Sequence, residues 1–239
     1  MENKRMWKGN KISVWVLYSQ AGIATQILLS VNDKDILVDI GDGCLRDLLK
    51  FEYNFDRLKG ILITHGHYDH VGGLHTLLGY LRMIGRKEKI VICFPRGCTE
   101  AKGMVEMFMT YYSNSIPFEI QVKEIEDREI CHIGEIKVET YFVVHHGSIK
   151  DKILGQIPAT GYRVSFENES IALSGDTGFC DSLIKLVKGT DLAILDATFK
   201  GKVTDEVISK VHLSEKKAKE VGKLAKEFIL IHGIEHPKF

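Results

Sequence analysis

The chain has no surplus of either charge: 32 lysines and arginines stand against 32 aspartates and glutamates in 239 residues. A neutral chain carries no overall electrostatic footprint for nucleic acid, although a local basic patch stays open. No C-x-x-C pair occurs among the five cysteines, Cys44, Cys93, Cys98, Cys131 and Cys180, and their number is odd. That pattern excludes a disulfide framework and reads as reduced, buried thiols in a cytoplasmic protein. No apolar run approaches the ~18 residues of a membrane span. The short apolar run near the N-terminus alternates with polar residues and lacks a cleavage site, so it reads as a strand and not a signal peptide. No linker or low-complexity segment interrupts the sequence, so residues 1–239 read as one domain.

What is present is a substantial apolar content, 44% of residues, arranged in short runs. Ile12–Leu17, Ala24–Ser30, Asp35–Asp39, Ile90–Phe94, Glu119–Glu124, Ile136–His145, Arg163–Glu167, Ser170–Leu173 and Phe228–Ile231 read as strands. Ile61–Thr64 and Leu192–Leu195 are nearly continuous apolar runs, as expected of strands buried on both faces. Leu74, Leu77, Leu78, Leu81 and Ile84 recur with helical spacing, and a second helix is expected within Ala101–Tyr112. Asp181 is placed to cap a helix carrying Leu183, Leu186 and Val187, and Ser214 to cap one over Glu215–Glu227. Two segments echo each other. ILVDIGDG (Ile36–Gly43) leads through a leucine-bearing helix to LKGILITH, and IALSGDTG (Ile171–Gly178) leads through another to TDLAILDAT. Two like halves with helices outside would follow from such a duplication.

The stretch ILITHGHYDHVGGL (Ile61–Leu74) ends an apolar strand with His65, His67, Asp69 and His70. His65 and His67 are two apart and point the same way in an extended chain. Asp69 and His70 follow where the chain turns into a helix. This spacing serves two neighbouring metals, and imidazole with carboxylate suits zinc, manganese or iron without any thiolate. Further ligands must come from elsewhere. The strand-end candidates are His145 or His146, Asp176 in SGDT, and His232 in LIH. His75, His132 and His236 stand outside any motif.

H-x-H-x-D-H-x-x-G-L, a mid-chain histidine, G-D-T and a terminal strand histidine, in this order, resemble the metallo-β-lactamase fold hydrolases. Within them the chain most resembles the ribonuclease Z branch. Ser174–Phe199 looks like that branch's aspartate motif followed by an E-A-T-F-like element, and Val211–Ser214 resembles its H-S-T element. The resemblance covers nearly the whole chain. It implies an αββα four-layer sandwich, with mixed β-sheets face to face and helices outside. It also implies two metal ions, zinc first. One would be held by His65, His67 and the mid-chain histidine, for which the family spacing favours His146. The other would be held by Asp69, His70 and His232, with Asp176 bridging them. Asp39, in VDIGDG, would orient a ligand histidine.

The implied reaction is hydrolysis of a phosphodiester by a hydroxide that bridges the metals. Asp69, His212 and Asp196 are then the catalytic candidates. His212 would give a proton to the leaving alkoxide and Asp196 would hold its other nitrogen. The branch usually has glutamate where this chain has the shorter Asp196. The substrate would be RNA or a cyclic nucleotide, and relatives pair as homodimers. Two features of the branch are missing. The arm that grips transfer RNA has no room between His146 and Asp176, and the N-terminal loop reads YSQAGIATQ (Tyr18–Gln26) instead. Phosphodiester chemistry is therefore implied more strongly than transfer RNA processing. Gly147–Thr160, with Lys150 and Lys152, is expected to be a solvated loop.

Overall fold

The computed structural model describes residues 5–150, 152–201 and 203–234, and the chain divides into two compact units. One unit runs to Tyr18 and from Gly22 to Ile125; the other takes Ser19–Ala21 and the chain from Glu126 onward.

In the first unit the strands are β1 (Arg5–Lys8), β2 (Ile12–Gln20), β3 (Ala24–Val31), β4 (Lys34–Ile40), β5 (Leu58–Leu62), β6 (Ile90–Pro95) and β7 (Ile120–Ile125). They form one sheet in the order of the sequence. β1 with β2 and β3 with β4 pair antiparallel, whereas β4 through β7 run parallel. Parallel neighbours need crossovers, and here these are α1 (Cys44–Lys50), α2 (Tyr68–Val71), α3 (Leu74–Met83) and α4 (Thr99–Tyr111). Leu77, Leu78 and Leu81 of α3 and Val105 and Phe108 of α4 join Leu37, Ile61, Ile90, Ile92 and Phe94 in one core cluster. The opposite side chains Ile36, Val38, Leu62 and Cys93 are fully buried too, which is why these strands read as unbroken apolar runs.

In the second unit β8 (Ile130–Ile133), β9 (Ile136–Phe142), β12 (Thr160–Phe166), β13 (Glu169–Leu173), β14 (Leu192–Asp196) and β15 (Glu227–Ile231) form a mixed sheet in the order β15-β14-β13-β12-β9-β8. β13, β14 and β15 are parallel, and β8, β9, β12 and β13 alternate in direction. The helices are α5 (Asp181–Val187), α6 (Asp205–Lys210) and α7 (Glu215–Gly222). Leu183, Leu186 and Val187 of α5 and Ala218 and Val221 of α7 pack with Tyr141, Ala193 and Leu195.

Several expectations shift at this level. Asp181 is the first residue of α5 and not its cap; Cys180 holds that position without a side-chain bond. An acid in the first turn still favours the helix through its dipole. Ser214 does cap α7, its Oγ accepting from Lys217 N at 3.2 Å, but the helix stops at Gly222 because the chain must turn into β15. Gly147–Thr160 is not a plain loop. It forms a hairpin of β10 (His146–Ile149) and β11 (Lys152–Gln156), with Lys150 at φ 52° beside the turn. Lys150 and Lys152 are exposed, as expected.

All five cysteines are thiols, and four of them are buried. Burial pushes the Cys44 thiol far up and the Cys98 thiol up to about 11, so neither is a nucleophile near neutral pH. No helix among the described residues is long and apolar enough to cross a membrane.

Arg163 fastens α5 to the sheet. Its Nε donates to Leu186 O at 3.0 Å and its Nη2 to Lys185 O at 2.7 Å and Lys188 O at 3.2 Å, so one guanidinium collects the carbonyls of the helix C-terminus. Arg163→Ala should destabilise the protein by about 2 kcal/mol, and lysine should not restore it because it lacks the fork. Urea unfolding of both variants checks this; an unchanged midpoint would show the contact to be idle.

Candidate metal centre

In the first unit, parallel register sets Val38 opposite Leu62, so Asp39 lies beside the chain leaving β5. Asp39 adopts φ 57°, a left-handed conformation that aspartate tolerates better than most residues. Its Oδ1 accepts from Thr64 N at 2.8 Å, and its Oδ2 accepts from Thr64 Oγ1 at 2.8 Å and His70 Nδ1 at 2.7 Å. Thr64 has a single hydroxyl proton, spent on Asp39, so at the 3.1 Å contact with His65 Nδ1 it accepts. Both His65 and His70 thus carry their proton on Nδ1 and their lone pair on Nε2. His65 Nε2 lies 3.0 Å from His67 Nδ1. Two ring nitrogens on one tetrahedral zinc stand roughly 3.3 Å apart given Zn–N bonds near 2.0–2.1 Å, so this spacing fits a shared ion.

Asp69 is buried, and its Oδ2 accepts from Gly22 N at 2.8 Å and lies 3.9 Å from His70 Nε2. The glycines after the motif make room for this turn. A Cβ on Gly73 would stand 2.6 Å from Gly41 O, and one on Gly41 would stand 2.4 Å from Asp69 O. The VDIGDG turn and the histidine loop therefore pack backbone to backbone.

In the second unit the parallel strands β13, β14 and β15 end side by side. Asp176, Asp196 and His232 follow from those three ends, the usual place for reactive groups in such sheets. His232 sits at φ 63°, and its backbone N donates to Ser19 Oγ at 3.1 Å. Its Nε2 is 3.4 Å from Asp176 Oδ2. Its Nδ1 is 2.9 Å from Thr198 Oγ1, whose proton goes to Asp196 Oδ1 at 2.6 Å. The logic of Thr64 repeats: Nδ1 of His232 donates and Nε2 holds the lone pair.

The adjacent histidines 145 and 146 separate cleanly. His145 is buried; its Nδ1 donates to Val211 O at 2.8 Å and its Nε2 stands 4.0 Å from Asp176 Oδ2. His146 is half-buried and its Nδ1 donates to Leu154 O at 2.9 Å, at the root of the β10–β11 hairpin. Successive side chains of an extended segment point to opposite sides, so only one of the pair can face Asp176, and it is His145. The preference for His146 from family spacing gives way to this geometry.

Asp196 is fully buried. Its two oxygens accept from Thr177 N at 3.2 Å, Thr198 N at 3.1 Å, Thr198 Oγ1 at 2.6 Å, Leu213 N at 3.4 Å and His212 Nδ1 at 2.9 Å. The shorter arm of aspartate thus reaches His212 without strain on the contact. A bridge between Phe199 and Ser214 lays the His212 segment along the end of β14. His212 Nδ1 is 3.9 Å from Asp176 Oδ2, and Asp176, His212 and His232 offer ligand atoms within 4.8 Å of one another.

Thr64, Thr198, Ser174 and the Val211 carbonyl fix ring and carboxylate orientations, and no metal-ligand spacing marks them in the sequence. Ser174 Oγ accepts from Asp196 N at 2.9 Å. The one available signal was a threonine close behind each buried strand, in ILITH and ILDAT. His75 packs its ring on Phe108 at 5.7 Å, and His132 is exposed on β8, so both are elsewhere. His236 lies outside the described residues.

The donor set fits metal ions. His65, His70, His145 and His232 each have Nδ1 committed to an oxygen, which fixes Nε2 as the ligating atom, and buried carboxylates accompany them.

The family described as the beta-lactamase superfamily domain matches residues 35–232. Ribonuclease Z of Ignicoccus hospitalis is 24% identical over 235 residues, covering 82% of this chain and 77% of its own length. The crystal structure of human tRNase Z, short form, matches with a TM-score of 0.76 at 23% identity, over 93% of both chains. The metallo-beta-lactamase fold protein YhfI from Bacillus subtilis matches with a TM-score of 0.75 at 17% identity, over 96% of this chain and 88% of that one. These likenesses give the chain the metallo-β-lactamase fold, the α/β architecture of two mixed sheets and outer helices that the sequence implied.

Proposed function

Since the chain belongs to the beta-lactamase superfamily, we propose that it is a metal-dependent phosphodiesterase of the ribonuclease Z type with a two-metal centre. His65, His67, Asp69 and His70 of the first unit and His145, Asp176 and His232 of the second would be the ligands. Zinc suits the imidazole-rich set, and manganese or iron are accepted by the same donors. When bound, such a pair supplies a hydroxide near neutral pH and offsets the charge of the phosphate oxygens.

The observation that carries the reading is the 2.9 Å contact between His212 Nδ1 and the five-times-bonded Asp196 carboxylate. It fixes the imidazole with Nε2 as the atom that exchanges a proton. A phosphodiester with an alkoxide leaving group needs such a donor. A thioester does not, since its thiolate departs without a proton. Thr198 links this pair to His232, so the acid and a metal ligand are set by one carboxylate. The substrates in view are RNA ends, cyclic nucleotides or small diesters, in a reducing, cytoplasmic setting that suits the buried thiols; pairing of two copies belongs to the same proposal.

Hydrolysis of bis(p-nitrophenyl) phosphate by zinc- or manganese-loaded protein tests it. Turnover should vanish with chelator and return with metal. A metal-loaded protein that ignores diesters but opens lactones or thioesters would place it among the carbonyl hydrolases of this fold.

A further inference from the structure

Tyr68 stands between His67 and Asp69 in the histidine loop and was given no role by the motif. Its side chain is 66% exposed, yet its hydroxyl donates to Gly22 O at 2.7 Å. Gly22 in turn gives its N–H to Asp69 Oδ2 at 2.8 Å. The β2–β3 turn thus grips two consecutive residues of the loop, one by each backbone polar group. A single exposed tyrosine is ordinary on a protein surface. A tyrosine whose hydroxyl is tied while its ring faces water is different, because the ring is held in place before anything binds it. With its hydroxyl proton spent on Gly22, Tyr68 has no donor left for a ligand, and its exposed face is the larger surface that remains.

We infer that Tyr68 is a stacking platform for an aromatic base on the phosphate-bearing substrate, placed at the edge of the metal centre. This rests on the phosphodiesterase reading for its location, and it names the substrate class as nucleotides over alkyl phosphates. A ring face accepts every base, so the platform selects for a base without choosing which one. Gly22 supports it twice, by orienting the ring and by holding Asp69 in the same loop.

Calorimetric binding of adenosine 5′-monophosphate and ribose 5-phosphate to the zinc-loaded protein isolates the base, since the two ligands share sugar and phosphate. The wild type should bind the nucleotide about tenfold more tightly than the sugar phosphate. Tyr68→Phe keeps the ring and should keep most of that gap. Tyr68→Ala and Tyr68→Leu should bring the two ligands within about twofold of each other, at unchanged thermal midpoint in at least one of them. A gap that survives in Tyr68→Ala and Tyr68→Leu, or its absence from the wild type, overturns the inference. The binding readout is independent of turnover. A Tyr68-dependent gap in a protein that cleaves no diester would sink the phosphodiesterase reading and leave the platform standing; diester turnover without the gap would do the reverse.

Discussion

Replacing His212 by alanine should lower kcat/KM on a dinucleotide, whose leaving group is an alkoxide, by about a thousandfold, within the 10²–10⁴ range of a lost general acid. On bis(p-nitrophenyl) phosphate the same replacement should cost less than about tenfold, because p-nitrophenolate leaves without a proton. The difference between the two substrates is the informative quantity. His212 is fixed through Nδ1 by Asp196 at 2.9 Å, and its ring lies 5.1 Å from that of His145 and 5.2 Å from that of His232, centroid to centroid. A purely architectural His212 would lower both rates alike through its neighbours. An acid lowers only the reaction that needs a proton, and the loss falls on kcat with little change in KM. Equal losses on the two substrates would remove His212 from the chemistry.

Asp39→Ala should weaken metal binding about 10- to 100-fold, the usual effect of losing a carboxylate that orients a ligand histidine. It should also destabilise the fold by about 3 kcal/mol, since buried donors lose their acceptor. Asp39 is 1% exposed and serves Thr64 N, Thr64 Oγ1 and His70 Nδ1 at once. Through the Thr64 hydroxyl it also sets the tautomer of His65, so one carboxylate governs a histidine of each proposed metal. Asparagine accepts the left-handed backbone at this position but has only one accepting oxygen for three donors. Asp39→Asn should therefore fold better than Asp39→Ala while still losing metal affinity. Competition with a chromophoric chelator, alongside urea unfolding, separates the two effects; unaltered zinc affinity in both variants would show that Asp39 only braces the turn.

The parts legible in the sequence were those written in local pattern. Buried parallel strands announce themselves as apolar runs, as Leu192–Leu195 of β14 does, whereas of the run Ile61–Thr64 only Ile61 and Leu62 lie in β5. The H-x-H-x-D-H spacing after β5 marks a metal loop because few structural demands would gather three imidazoles and a carboxylate in six positions. Other features depend on partners far along the chain. The choice between His145 and His146 turns on which side of an extended segment faces Asp176, and adjacent residues give no local hint of that. The hydroxyls of Thr64 and Thr198 matter for where their single protons go, which only the folded arrangement decides. The β10–β11 hairpin lacks the glycine or asparagine turn that signals such pairs, so GSIKDKILGQIPAT reads as loop.

The most direct test of the two-metal phosphodiesterase is to strip the protein with chelator and add zinc stepwise, following bound metal and bis(p-nitrophenyl) phosphate turnover together. Turnover should rise with occupancy and level off at about two ions per chain, as a two-metal site requires. Full turnover in stripped protein, or two bound ions with no diester turnover, would contradict it.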